Sequence, residues 1–160
     1  STKRDETLEE VIGRKLIELK FSLATAESCT GGGIGRSITS VPGASLWYAG
    51  GVVTYSNELK IRILGVGKQT LEKHGSVSEQ TALEMARGVR RITGADFSLA
   101  VTGIAGPDGG TEEKPVGTVW TAVCSDSKEK AHLWRLGGDR ESIRDGASAR
   151  ALGTLLELLQ

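Results

Sequence analysis

Leu8, Val11, Ile12, Leu16 and Leu19 recur three and four residues apart, which predicts an amphipathic helix over 6–20. Residues 21–26 read as a short buried strand. A helix is expected over 32–39, ended by Pro42-Gly43. Residues 47–55 are rich in β-branched and aromatic side chains and read as a second strand. Ser56 or Asn57 then caps a short helix through Leu64. Ser78, with Glu79 behind it, caps a longer helix whose apolar face is Ala82, Leu83, Ala86 and Val89. Residues 96–102 form a nearly continuous apolar strand, followed by a glycine-bearing loop over 103–115. Residues 117–124 and 130–136 pair as a hairpin about Ser125-Asp126-Ser127. Asp139 caps a last helix striped by Leu152, Leu155, Leu156 and Leu159. Interleaved helices and strands followed by a hairpin predict one α/β domain over 1–160, a three-layer α/β/α sandwich around a mixed sheet.

Composition narrows the function. The 20 basic and 20 acidic side chains balance, which argues against nucleic acid or an anionic membrane as partner. No apolar run is long enough to span a bilayer, and the charged start lacks the apolar core of a signal peptide. Two cysteines, Cys29 and Cys124, make no disulfide framework, so a cytoplasmic setting is expected. The 22 glycines cluster between periodic segments, which suggests backbone-lined turns around a site.

The densest cluster is Ala24-Thr-Ala-Glu-Ser-Cys-Thr-Gly-Gly-Gly-Ile-Gly35. It reads as a strand running through a hydroxyl- and glycine-rich turn into a helix. Such a corner suits an anion or an oxyanion, and Ser28 would stand at the strand's carboxyl end. No Gly-Lys-Ser/Thr closes the run, its glycines miss the dinucleotide spacing, and Ser28 is not within Gly-x-Ser-x-Gly. A turn whose glycines merely allow close packing is the alternative. Ser28, Tyr55 and Thr102 all fall at carboxyl ends of expected strands, where α/β sheets bind ligands. If those strands are parallel, the three face one crevice.

Further along, Gly51-Val-Val-Thr-Tyr-Ser-Asn57 with Lys60, His74-Gly-Ser-Val-Ser78, Thr102-Gly-Ile-Ala-Gly-Pro-Asp-Gly-Gly-Thr111 and Lys114-Pro-Val-Gly-Thr-Val119 join Thr25-Ala-Glu-Ser-Cys-Thr-Gly-Gly32. Together with the closing Gly138-Asp-Arg140 and Ile143-Arg144, these blocks resemble the CinA C-terminal domain family, many of whose members are nicotinamide-nucleotide amidohydrolases. The resemblance covers essentially the whole chain and suggests the stand-alone form. It implies hydrolysis of the carboxamide of nicotinamide mononucleotide to nicotinate mononucleotide and ammonia. It also implies a serine nucleophile at Ser28 and a lysine at Lys60. A non-catalytic nucleotide- or phosphate-binding module is the alternative.

The residues allow roles to be assigned. Lys60 lies near the positive end of its short helix, and burial there would favour a neutral amine able to take the serine proton. Tyr55 relays a proton, binds substrate, or packs at the rim. Backbone N–H groups of Thr30, Gly31 and Gly32 are the candidate oxyanion hole or phosphate cradle. Thr102 and Gly103 would line the ring or ribose. Arg140 and Arg144, one helical turn apart, suit a phosphate monoester or form a solvated face. Glu27 would position Lys60 or a substrate hydroxyl. His74, in an expected loop, and His132, in an expected strand, have no constellation around them. Cys29 reads as a buried thiol, and Asp108, Glu112 and Glu113 as an acidic surface loop. No metal and no cofactor is expected. Apolar residues on the first and last helices suggest a homo-oligomer, a dimer first.

Overall fold

The computed structural model describes residues 5–160. Its elements run α1 (Leu8–Leu19), β1 (Leu23–Glu27), α2 (Gly33–Thr39), a 3-10 turn (Ala44–Leu46), β2 (Tyr48–Val53), α3 (Asn57–Leu64), α4 (Lys68–His74), α5 (Glu79–Thr93), β3 (Phe97–Gly103), β4 (Thr118–Cys124), β5 (Glu129–Arg135) and α6 (Arg140–Leu159). Side-chain caps explain several starts: the oxygens of Thr7, Ser56, Ser78 and Asp139 accept from the N–H three residues on, in α1, α3, α5 and α6. The cap of α3 is thereby Ser56, and Asn57 is its first helical residue.

The sheet order is β2-β1-β3-β4-β5. β2, β1 and β3 are parallel, and β4 and β5 are antiparallel to their neighbours. From central β1 the chain crosses to β2 on one side and later to β3 on the other. That reversal opens a crevice beyond the carboxyl ends of the three parallel strands.

The two faces of the sheet differ in side-chain size. Leu23, Phe97, Leu99, Val101, Val119 and Val123 pack with residues of α1, α2 and α6 in one core. Ala24, Ala26, Ala100 and Ala122 face the other core, which holds Leu64 of α3 and Ala82, Met85, Ala86 and Val89 of α5. Small residues on both surfaces let α5 lie close to the sheet, close enough for the Ser98 hydroxyl to donate to the Ala86 carbonyl at 2.5 Å. α3 in turn lies against α5. A Cβ at Gly88 would stand 2.0 Å from the Leu64 carbonyl oxygen, so only glycine permits this main-chain approach.

Two expectations are corrected. Residues 65–77 contain α4, and His74 is its last residue rather than part of a loop. This helix has no side-chain cap and fully buries none of its residues, so it carries no apolar stripe to read. The 3-10 turn was likewise unforeseen. The leucines of α6 do not form an exposed face: Leu152 and Leu155 are buried, and Leu156 and Leu159 pack against the core.

Gly88→Ala should lower stability by about 1–3 kcal/mol, the usual cost of forcing extra volume into a closed contact. Urea unfolding followed by circular dichroism measures it. An unchanged midpoint would mean that α3 and α5 do not meet main chain to main chain.

Candidate active site

The crevice has a volume of about 260 Å³ and is lined by residues that end or follow each parallel strand, together with residues of α3, α6 and the segment before α5. Ser28 follows β1, Tyr55 follows β2, and Thr102 and Gly103 end β3. Lys60 comes from α3, Arg140 opens α6, and Ser76 and Val77 precede α5.

Lys60 is 1% exposed. It is the fourth residue of α3, and its side chain reaches back under the helix start. Its Nζ has three partners: the Thr54 carbonyl at 2.8 Å, the Tyr55 carbonyl at 3.2 Å and Ser28 Oγ at 3.0 Å. Two of these are carbonyls, which can only accept, so two N–H bonds are committed to them. The third direction faces Ser28. A charged Lys60 donates there, whereas a neutral Lys60 presents its lone pair to the Ser28 hydroxyl proton. Deprotonation therefore converts the contact from donor to acceptor with no change of geometry. Burial pushes the Lys60 pKa down from 10.5 to about 8, which makes the neutral form accessible near physiological pH.

Ser28 is held from both sides of its turn. Its N–H donates to the Val101 carbonyl at 3.1 Å, and its own carbonyl accepts from Gly31 N–H at 3.0 Å. Cys29 also lines the crevice, but burial pushes its thiol up to about 11, leaving it protonated.

Several residues go elsewhere. The Glu27 carboxylate is buried and accepts from the Thr30 hydroxyl at 2.5 Å, Ile34 N–H at 2.9 Å and Gly35 N–H at 3.1 Å. It closes the start of α2 and lies outside the crevice lining, its oxygens bonded to α2 and Thr30 rather than to Lys60. Thr30, Gly31 and Gly32 also stand elsewhere. They line a second cavity of about 670 Å³ between α2 and α6, not the crevice at Ser28. Arg144 lines that second cavity too, with Nε donating to the Cys29 carbonyl at 3.0 Å and a terminal nitrogen donating to Thr30 at 3.3 Å. Arg140 alone of the arginine pair reaches the crevice. It donates to the Gly106 carbonyl at 2.7 Å and to the Tyr55 hydroxyl at 3.2 Å, joining two walls at the mouth. The two guanidinium groups therefore serve different cavities.

Thr102 lines the crevice while donating its hydroxyl to the Ser76 carbonyl at 2.8 Å. That bond fixes the wall made by Ser76 and Val77, which sequence reasoning had not assigned to the site although it quoted the 74–78 block. Asp108 also lines the crevice, and its place in a glycine-rich acidic loop had concealed it. His132 stacks on Trp134 at 4.7 Å in β5, away from the crevice. Among the described residues no cluster of His, Cys, Asp or Glu is arranged to hold a metal, and no helix is long and apolar enough to cross a membrane.

Residues 5–159 match the CinA C-terminal domain family. The chain is 47% identical over 150 residues to the nicotinamide-nucleotide amidohydrolase PncC of Shigella flexneri, covering 92% of this chain and 90% of that one. It is 48% identical over 159 residues to a CinA-like protein of Thermotoga maritima, covering 98% of this chain and 38% of that protein. The chain spans little more than a third of the length of several curated relatives it matches, at 34–38%. A crystal structure of the competence/damage inducible protein CihA from Agrobacterium tumefaciens superposes with a TM-score of 0.90 at 41% identity, covering 99% of this chain and 100% of that one.

The depressed Lys60 pKa has a consequence for stability. Between about 8 and 10.5 the unfolded chain holds this proton and the folded protein has released it, so the Lys60 contribution raises stability as pH rises. Cys29 acts oppositely above its ordinary value of 9, because the folded thiol keeps its proton longer than the unfolded one. Comparing wild type with Lys60→Met isolates the lysine. Their difference in unfolding free energy should be flat below pH 8 and shift in favour of wild type from pH 8 to 10.5. A difference that stays constant with pH would show an unshifted Lys60.

Proposed function

The chain belongs to the CinA C-terminal domain family, and from that premise we propose that it is an amidohydrolase converting nicotinamide mononucleotide to nicotinate mononucleotide and ammonia. Ser28 is the nucleophile and Lys60 the base. The observation that carries this reading is the 3.0 Å contact between Lys60 Nζ and Ser28 Oγ in a buried pocket where carbonyls hold the amine's other two bonds. The PncC relative supplies the substrate class.

Neutral Lys60 takes the Ser28 hydroxyl proton as Oγ attacks the carboxamide carbon. The tetrahedral adduct collapses when the Lys60 ammonium returns that proton to the amide nitrogen. Ammonia leaves, and a seryl ester remains. Water, deprotonated by the same amine, attacks the ester, and Ser28 recovers its proton as nicotinate mononucleotide departs. The main chain of 103–106 forms the wall nearest the β3 end; with the Ile104 N–H held by the Thr118 carbonyl at 2.9 Å, the N–H groups of Ala105 and Gly106 are the candidate oxyanion donors. Arg140 at the mouth is the candidate phosphate contact, and Tyr55 orients it. This chemistry requires no metal or cofactor. Self-association is a separate proposal. Val53, Tyr55, Leu59, Ile61 and Ile63 are exposed around the β2–α3 connection, and sedimentation decides the stoichiometry.

Ser28→Ala should reduce ammonia release from nicotinamide mononucleotide by about 10³-fold or more while leaving the fold intact. Calorimetric binding without ammonia release in the wild type would leave only a binding module. In the wild type, kcat/KM should rise with pH and level off above about 8, because the base must be neutral. A rate flat from pH 6 to 9 would remove Lys60 from the proton route.

A further inference from the structure

Three charged side chains line the crevice: Lys60, Asp108 and Arg140. Lys60 is the one held toward neutrality by burial. Arg140 donates to the Gly106 carbonyl and the Tyr55 hydroxyl at the mouth and keeps further N–H groups to offer. Asp108 differs from both. Among the described residues it makes no hydrogen bond and no ion pair, although it stands in the same lining. Its loop is tied down nonetheless. Gly106 is held by Arg140, Gly117 N–H donates to Ile104 at 2.8 Å, and Lys114 Nζ donates to the His74 carbonyl at 2.6 Å. The loop therefore places Asp108, exposed and unpaired, in the crevice lining on a main chain tied at several points.

The proposed substrate has matching charges. Attachment of the ribose to the ring nitrogen makes the nicotinamide a permanent pyridinium cation, and the phosphate makes the far end an anion. With Lys60 neutral, the crevice carries one negative and one positive side chain. We infer that Asp108 is a specificity-determining residue that recognises the positive charge of an N-glycosylated pyridinium ring, while Arg140 meets the phosphate. This rests on the amidohydrolase reading and adds to it. The site then selects oxidised N-ribosylated pyridine carboxamides over free nicotinamide, which is neutral, and over the reduced dihydropyridine nucleotide. The reduced form keeps the ribose hydroxyls, the phosphate and the carboxamide, so only ring charge and planarity distinguish the pair.

The test compares equilibrium binding of nicotinamide mononucleotide and its reduced form by calorimetry, in Ser28→Ala so that no turnover intervenes. Asp108→Asn in that background should cut the oxidised-over-reduced affinity ratio by about tenfold, the value of one charge contact at a partly solvated site. Asp108→Glu should keep most of the preference, and added salt should erode it. An unchanged ratio in Asp108→Asn overturns the assignment. So does equal weakening of both ligands, which marks a structural loop residue or a contact to the ribose that the two share. Ammonia release by the protein with Ser28 and Asp108 intact is measured alongside. Its absence overturns the hydrolase reading, while the binding ratio still judges Asp108.

Discussion

The burial of one amine sets the terms for the rest of this protein. An ammonium taken out of water is costly unless its protons find acceptors, and here two main-chain carbonyls and a hydroxyl supply them. The supply is adequate in geometry but holds no carboxylate, so desolvation prevails and the pKa falls. A carboxylate among the three partners would have held the proton in place. Glu27, one residue before Ser28, is the obvious source of one, and its oxygens are instead bonded to the start of α2. Bonding Glu27 to α2 keeps that negative charge away from the Lys60 amine.

That arrangement depends on the packing beneath it. Lys60 reaches Ser28 because α3 is pressed toward the sheet edge by α5, and α5 can approach because alanines and a serine face it from β1, β3 and β4. Gly88 removes the last obstacle where α5 meets the end of α3. The larger side chains fill the opposite face, under α1 and α6. The unequal thickness of the two layers thus positions the chemistry, although none of the residues responsible touches the crevice.

Much of this was legible in the chain. The capping residues Ser78 and Asp139 announced their helices, the apolar run over 96–102 announced β3, and the strand-end positions of Ser28, Tyr55 and Thr102 placed them in one crevice once β1, β2 and β3 proved parallel. What escaped was direction. The spacing of Arg140 and Arg144 says that two guanidinium groups share a helix face. It does not say that the turn after Ser28 offers its carbonyls to one of them, and those partners lie 114 and 115 residues away in sequence. The bonding of Glu27 was hidden for a related reason, since its partners Ile34 and Gly35 are main-chain N–H groups, which every sequence contains. Asp108 has no local pattern at all, and only the folding of its loop over β3 brings it to the lining.

Cys29 sits beside Ser28 with its thiol pushed up to about 11. Peroxide, glutathione disulfide and alkylating agents all attack through the thiolate, of which such a group offers almost none in a neutral medium. The sulfur atom adjoining Ser28 is therefore chemically quiet, and reagents that need a thiolate find almost none at this position.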